Sequence, residues 1–370
     1  MKIVIFGLTI SSSWGNGHAT VWRALLREMI ARGHDVTFFE RDVPFYAAHR
    51  DLAELNGGIL SLYSEWDETL PLARREVAES DAAIVTSYCP DGLGASELVC
   101  GSSALRVFYD LDTPVTLARV RAGEPLSYIG ESGLCHFDLV LSFTGGAALR
   151  ALEEELGAQH AAPLYGSVDP LIHHPVAPLE NLRSTLSYLG TFAADRQQTL
   201  DELFIKPARA WPEQRFVIGG AQYPQEFPWA PNIFFLQHLA PSQHSAFFCS
   251  SRLTLNVTRA SMREMGWCPS GRLFEAAACA TPVISDWWDG LDEFFTPDEE
   301  ILIAHDANDV IDALQLSDGE LRQIATAARE RALSEHTAAH RAAEFEQLLM
   351  NASQNAQCCS CGPSSAAVEV

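Results

Sequence analysis

The feature that most constrains the fold is a repeated alternation of short apolar runs with longer amphipathic runs. Residues 3–8 are almost wholly apolar, and residues 20–32 place Val21, Leu25 and Met29 on one face of a helix. Strands that are apolar on both faces and are separated by helices indicate a parallel sheet covered on both sides. The sequence therefore predicts an α/β fold with parallel sheets.

One interruption of this alternation predicts two domains. Residues 166–180 are rich in Pro and His and lack periodicity, and the pattern restarts at residue 187. A chain of 370 residues also exceeds the usual size of one domain. We predict two tandem doubly wound, Rossmann-like domains facing each other across a cleft, over residues 1–168 and 169–345. A flexible tail is expected over residues 346–370.

Charge and cysteine content exclude several classes of protein. The chain has 25 Lys and Arg against 48 Asp and Glu, a net charge of −23, so we expect neither a nucleic-acid partner nor adhesion to anionic membranes. No apolar run is long enough to predict a transmembrane helix. Nine cysteines, an odd number, indicate reduced thiols and a cytoplasmic protein. Cys358, Cys359 and Cys361 lack a fourth ligand for zinc and are interpreted as incidental.

The strongest candidate site lies within residues 256–292. Ser270 is a suitable N-cap, and Gly271 leaves room beside the free amides of the first helical turn, where phosphate can bind. Glu275 is five residues after Ser270, too far for the glutamate of a capping box. Its carboxylate could accept two hydrogen bonds from a ribose diol. An ordinary buried helix with a surface glutamate fits the spacing equally well.

The same segment resembles a known class of enzymes. Residues 272–295 read RLFEAAACATPVISDWWDGLDEFF, which is similar to the nucleotide-sugar donor site of GT-B glycosyltransferases, most of all the CgeB-like spore-maturation group. Weaker similarity extends to residues 189–192 and 15–18. The resemblance implies that Glu275 holds the donor ribose and that the helix end at Ser270 and Gly271 holds the diphosphate. It implies no metal and no cofactor, since the nucleotide-sugar is a co-substrate.

Two positions depart from the pattern of that family. Ala280 stands where the family usually has Gly. Trp267 stands where related retaining transferases carry a second Glu, so the sequence leaves retention or inversion of the anomeric configuration open.

Further candidates lie in the second domain. Arg259 follows an apolar strand and could neutralise a leaving diphosphate, although a surface ion pair is an alternative. Gly190 could let backbone amides approach the phosphates, and Arg196 is a second phosphate ligand or the start of a helix. We predict sugar contacts for one aromatic ring and two carboxylates, those of Trp287, Asp289 and Asp292. Core packing is an equal alternative for the Trp287 ring.

The first domain offers a loop and a pair of carboxylates. Gly15, Asn16 and Gly17 form a turn between the first strand and helix but do not match a dinucleotide fingerprint. His18 follows them and could deprotonate an acceptor hydroxyl or bind the sugar; a helix-start histidine is the alternative. Asp110 and Asp112 form a D-x-D that could hold Mg²⁺ or Mn²⁺. Since the resemblance implies no metal, Asp112 is instead an alternative base, or merely a turn-capping residue.

These features favour a glycosyltransferase that binds a UDP-sugar in the second domain and an acceptor in the first. A nucleotide-sugar 2-epimerase of the same fold and a non-catalytic sugar-nucleotide-binding protein are the alternatives. We expect the last helix to cross back to the first domain, which would let the cleft close.

Overall fold

The computed structural model of the protein describes residues 1–360, which contain two parallel sheets. The first has the order β3-β2-β1-β4-β5-β6-β7, with strands β1 (Lys2–Gly7), β2 (Asp35–Arg41), β3 (Ile59–Tyr63), β4 (Ala82–Thr86), β5 (Leu105–Asp110), β6 (Leu139–Ser142) and β7 (Ala161–Pro163). Its helices are α1 (Gly17–Ala31), α2 (Pro44–Ala47), α3 (Trp66–Ala78), α4 (Gly92–Cys100), α5 (Thr113–Arg121) and α6 (Ala147–Leu156).

The second sheet has the order β10-β9-β8-β11-β12-β13, with strands β8 (Ser184–Leu189), β9 (Phe216–Gly220), β10 (Ile233–Gln237), β11 (Ser251–Asn256), β12 (Val283–Ser285) and β13 (Leu302–Ile303). The later helices are α7 (Gln197–Leu200), α8 (Lys206–Ala210), α9 (Pro241–Cys249), α10 (Ala260–Met265), α11 (Gly271–Ala278), α12 (Ala307–Gln315), α13 (Asp318–Glu335) and α14 (Ala338–Ser360). A π-helical turn, Asp201–Ile205, joins α7 to α8 just before Pro207, which has no amide hydrogen to donate.

The first sheet is covered on both faces, which explains why β1 is almost continuously apolar. Ile3 and Ile5 of β1 belong to one hydrophobic cluster, whereas Val4 and Phe6 belong to another on the opposite face. Successive side chains of a strand point to opposite faces, so both faces must be apolar. The prediction of two doubly wound parallel-sheet domains is confirmed.

Both sheets reverse their strand order beside the first strand of the domain. The reversal lies between β1 and β4 in the first sheet and between β8 and β11 in the second. Such a switch point leaves a crevice at the carboxyl ends of the strands, where doubly wound proteins bind ligands. Residues that bind a ligand should therefore lie near the carboxyl edges of the two sheets.

The C-terminal helix returns to the first domain, as the sequence predicts. Phe345 and Leu349 of α14 are buried in the same cluster as Ile3 and Ile5, and Glu346 pairs with Arg32 of the first domain. The prediction of a flexible tail from residue 346 is therefore wrong for the packed helical segment, because α14 continues to Ser360. Residues 361–370, with Cys361, and the side chains at 358 and 359 lie outside the description. None of the described helices is long and apolar enough to cross a membrane.

The two residues at which the sequence departs from the glycosyltransferase pattern, Ala280 and Trp267, both have positive φ. Ala280, directly after α11, has φ of 54°, a left-handed conformation that glycine adopts without strain. Trp267 also has positive φ, 42°, and its ring packs against Gly146 of the first domain, while its carbonyl accepts a hydrogen bond from the Gly145 amide at 2.9 Å. Trp267 therefore joins the two domains.

Candidate active site

The residues that follow the central strands of the first sheet meet at its carboxyl edge. His18 lies beyond β1, Tyr88 beyond β4 and Asp112 beyond β5, and these three strands are neighbours in the sheet. Trp14 of the same edge lies between His49 of the first domain and His238 of the second, with ring centroids 4.1 and 4.0 Å apart. The edge therefore faces the cleft between the domains.

His18 and Asp112, which the sequence offers as alternative bases, form a pair. The Nε2 atom of His18 lies 3.3 Å from Oδ2 of Asp112, and the two side chains are 16% and 20% exposed. The ring of Tyr88 lies 5.6 Å from the imidazole ring. A carboxylate beside an imidazole stabilises the cation that forms when the imidazole takes a proton. The pair can therefore act as one general base.

The loop before His18 has mainly structural tasks. Asn16 is the N-cap of α1, and its Oδ1 accepts a hydrogen bond from the His18 amide at 3.0 Å. Gly15 has φ of 59° and lies beside Gln222 of the second domain, whereas Gly17 is exposed. These residues position His18 and the domain contact, and a ligand-binding role for them stays a prediction.

The two carboxylates of the D-x-D have different surroundings. Asp110 is completely buried and accepts the Asp112 amide at 3.0 Å, whereas Asp112 faces His18. Burial raises the pKa of Asp110 to about 6. The D-x-D is not among the clusters with metal-ligand spacing in residues 1–360. The chain thus separates a buried carboxyl group from a catalytic candidate two residues away.

The N-terminal end of α11 matches its predicted geometry. The Ser270 hydroxyl accepts a hydrogen bond from the Arg272 amide at 3.4 Å, and Ser270 and Gly271 are half-buried, so neighbouring side chains do not seal the helix end. Glu275 is only 8% exposed, which excludes the surface-glutamate alternative. A Cβ atom added to Gly271 would lie 3.9 Å from Glu275 Oε1. One carboxylate oxygen therefore lies near the open helix end.

The other oxygen of Glu275 lies between two histidines that the sequence analysis missed. Oε2 is 3.4 Å from Nδ1 of His244 and 3.8 Å from Nε2 of His173. Burial alone would raise the pKa of Glu275, but the nearby His173, His244 and Arg272 outweigh burial and lower it. His173 lies in the connection between β7 and β8 and His244 on α9, so no sequence spacing links them to Glu275.

The predicted phosphate ligands border β8. Arg196 donates from Nη1 to the Tyr188 hydroxyl at 2.8 Å. A Cβ atom on Gly190 would lie 2.6 Å from that hydroxyl and 3.2 Å from the same Nη1, so only glycine permits this approach. Arg272 is a further cationic candidate that sequence reasoning missed, although it opens the recognised RLFE segment. Its Nε is buried and has no hydrogen-bond partner among the described residues.

Arg259 forms the ion pair that the sequence analysis offered as an alternative. Its Nε lies 3.0 and 3.2 Å from the carboxylate oxygens of Asp195. Within the part of the chain that the structure describes, its two terminal amino groups make no hydrogen bond, so they can still meet a diphosphate. The ion pair holds the guanidinium group in place through Nε and leaves its other N–H groups available as hydrogen-bond donors.

The three candidate sugar-binding residues, Trp287, Asp289 and Asp292, are all exposed. Trp287 is exposed, whereas Trp288 is buried in the core of the second domain. Asp289 and Asp292 are both exposed, and neither carboxylate hydrogen-bonds to another described residue. Among the described residues, Arg259 forms its ion pair with Asp195 and not with these carboxylates, and the role of Trp287, Asp289 and Asp292 in sugar binding stays a prediction.

Comparison with known proteins bears on the fold and on the second half of the chain. Residues 196–347 match the family described as glycosyl transferase-like. Sucrose-phosphate synthase from Thermosynechococcus elongatus superposes with a TM-score of 0.66 at 15% identity, over 98% of this chain and 100% of that chain. HepE from Anabaena, solved with UDP-glucose, gives 0.67 at 13% identity, over 95% and 100%. An alpha-glucosyltransferase solved with UDP and a 13-mer DNA gives 0.65 at 14% identity, over 95% and 99%. Comparison with curated proteins gives no match.

The two parallel-sheet domains and these superpositions define a GT-B fold. The match to the glycosyl transferase-like family covers residues 196–347, which lie mostly in the second domain.

Proposed function

We propose that the protein is a glycosyltransferase that moves a hexosyl group from a UDP-sugar to an acceptor hydroxyl, without a metal ion at the diphosphate. One observation carries the proposal. Helices α5 and α10 come from different domains and are in contact, and the residues that directly precede them are Asp112 and Arg259. This contact supports assigning Asp112 to the general base and Arg259 to the leaving group within one cleft.

The donor site is assigned to the second domain. The end of α11 at Ser270 and Gly271, together with Arg259 and Arg196, would bind the diphosphate through backbone amides and guanidinium groups. Glu275 Oε1, near that helix end, would accept hydrogen bonds from the ribose. UDP is chosen because HepE and the alpha-glucosyltransferase were solved with UDP or UDP-glucose.

The reaction needs a proton acceptor and stabilisation of growing negative charge. His18 would take the proton of the acceptor hydroxyl, and Asp112 would stabilise the resulting imidazolium. As the glycosidic bond to the diphosphate breaks, positive charge develops at the anomeric carbon and negative charge on the diphosphate, which Arg259 and the α11 amides neutralise. We further propose membership of the CgeB-like group and a cytoplasmic location.

The test measures donor binding and turnover separately. Glu275→Ala should weaken UDP-sugar binding at least 10-fold in calorimetry, whereas Glu264→Ala, which removes an exposed carboxylate of the same domain, should not. UDP release from wild-type protein should depend on an added acceptor. Epimerised sugar without an acceptor would favour the 2-epimerase, and binding without turnover in a broad acceptor panel would favour a non-catalytic protein.

A further inference from the structure

We propose that His173, His244 and Glu275 form a binding site for a divalent transition-metal ion, of which Zn²⁺ is the best fit. The ion would lie behind the donor helix α11, on the side of Glu275 that faces away from the predicted ribose contact. The site goes beyond the proposed function and does not depend on it.

The first argument is the spacing of the ligand atoms. Glu275 Oε2 lies 3.4 Å from His244 Nδ1 and 3.8 Å from His173 Nε2, and one ligand atom from each residue falls within 4.8 Å of the others. Two ligands bound to tetrahedral zinc at about 2.0–2.1 Å lie about 3.3–3.4 Å apart. The Glu275–His244 separation therefore already matches a zinc site, and His173 must move closer to complete the site.

The second argument is burial without hydrogen bonding. The three side chains are 6–10% exposed, and His173 Nε2, His244 Nδ1 and Glu275 Oε2 are buried without a hydrogen-bond partner among the described residues. Buried polar atoms nearly always have a partner, and an orphaned one costs stability. One cation would satisfy all three atoms at once.

The third argument is the orientation of His244. Its Nε2 lies 3.2 Å from the Leu239 carbonyl oxygen, which can only accept a hydrogen bond. This contact leaves Nδ1 on the side of the ring that faces the Glu275 carboxylate, 3.4 Å away. A ring nitrogen that donates to a backbone carbonyl while the other faces the metal is also the usual arrangement of zinc-bound histidine.

The three ligands come from separate segments. His173 belongs to the connection between the domains, His244 to α9 and Glu275 to α11. A bound ion would therefore fasten the interdomain connection to the donor helix and fix the orientation of the Glu275 carboxylate. Two imidazoles and one carboxylate suit zinc, whereas magnesium prefers oxygen ligands alone.

The test uses the full chain with Cys358, Cys359 and Cys361 replaced by Ser, because these thiols could bind zinc independently. After chelation, calorimetric titration with ZnCl₂ should show one tight equivalent, and zinc should raise Tm. Co²⁺ should give visible bands of a tetrahedral site without a thiolate charge-transfer band. His173→Gln and His244→Gln should each weaken zinc binding about 100-fold, whereas His160→Gln, an exposed control, should not change it.

Two outcomes would overturn the proposal: wild-type protein that takes up no stoichiometric zinc, or tight zinc binding that survives both glutamine substitutions. Circular dichroism of the chelated variants checks that each is folded, and a second pair, His173→Asn and His244→Asn, replaces any that is not. UDP-sugar binding is measured separately on chelated wild-type protein. Zinc binding without UDP-sugar binding would refute only the proposed function, and the reverse result would refute only the metal site.

Discussion

The pairing of His18 with Asp112 predicts that the two side chains act as a unit in turnover. We consider His18→Ala, Asp112→Asn and the double variant. A positioned general base contributes about 10²–10⁴-fold to a rate, so His18→Ala should lower kcat by that factor, about 2.7–5.4 kcal/mol.

The effect of Asp112→Asn follows from the geometry of the pair. Two unit charges 3.3 Å apart interact by about 5 kcal/mol at an effective dielectric of about 20, which is an upper bound because both groups are partly exposed to water. The net value of a hydrogen bond to a charged group is about 1.5–3 kcal/mol. Asp112→Asn should therefore lower kcat about 10- to 100-fold, and only while His18 is present.

The assay is acceptor-dependent UDP release at saturating donor, with donor affinity measured by calorimetry. The double variant should be no slower than His18→Ala, so the coupling energy should equal nearly the whole effect of Asp112→Asn. Donor affinity should stay within about 2-fold, because both residues lie in the first domain. Additive losses in the double variant would show that the two residues act separately and would refute the reasoning.

Three further predictions concern stability in urea. Ala280→Gly should stabilise the protein by about 0.5–1 kcal/mol, because it removes the strain of a left-handed backbone at φ of 54°, and the greater entropy of glycine in the unfolded state cancels only part of that gain. The control Ala278→Gly, in α11, should instead destabilise the protein. A less stable Ala280→Gly variant would contradict the prediction. Burial raises the pKa of Asp110 from 3.8 to about 6, so between these pH values the folded state holds a proton that the unfolded state has lost, and stability falls as pH rises. Asp110→Asn should remove this loss of about 3 kcal/mol. Parallel pH–stability curves for the wild-type protein and the variant would contradict the prediction. Phe345→Ala, at a fully buried position of α14, should cost about 3–5 kcal/mol, whereas a cost near zero would mean that α14 does not anchor the first domain.

Around Glu275, the sequence predicts the helix end but not the two histidines that approach the carboxylate. Local rules of helix capping predict the N-cap at Ser270 and the start of α11 at Gly271, and the structure has this helix end. The same rules show that Glu275 is too far from Ser270 to be the glutamate of a capping box. His173 lies 102 residues earlier and carries no signal of its own beyond being a histidine in a linker. Its approach to Glu275 depends on how the interdomain connection crosses the second sheet.

The sequence by itself determined the local elements, such as the apolar strand β1 and the N-terminal end of α11. Periodicity and capping act over a few residues, so they can be recognised without knowing the fold. Only the tertiary structure decided which distant side chains meet. His18 and Asp112 are 94 residues apart and pair because β1 and β5 flank β4, and Asp110 is buried while Asp112 faces the cleft. Strand order sets these distances, and no local pattern encodes the order in which parallel strands assemble.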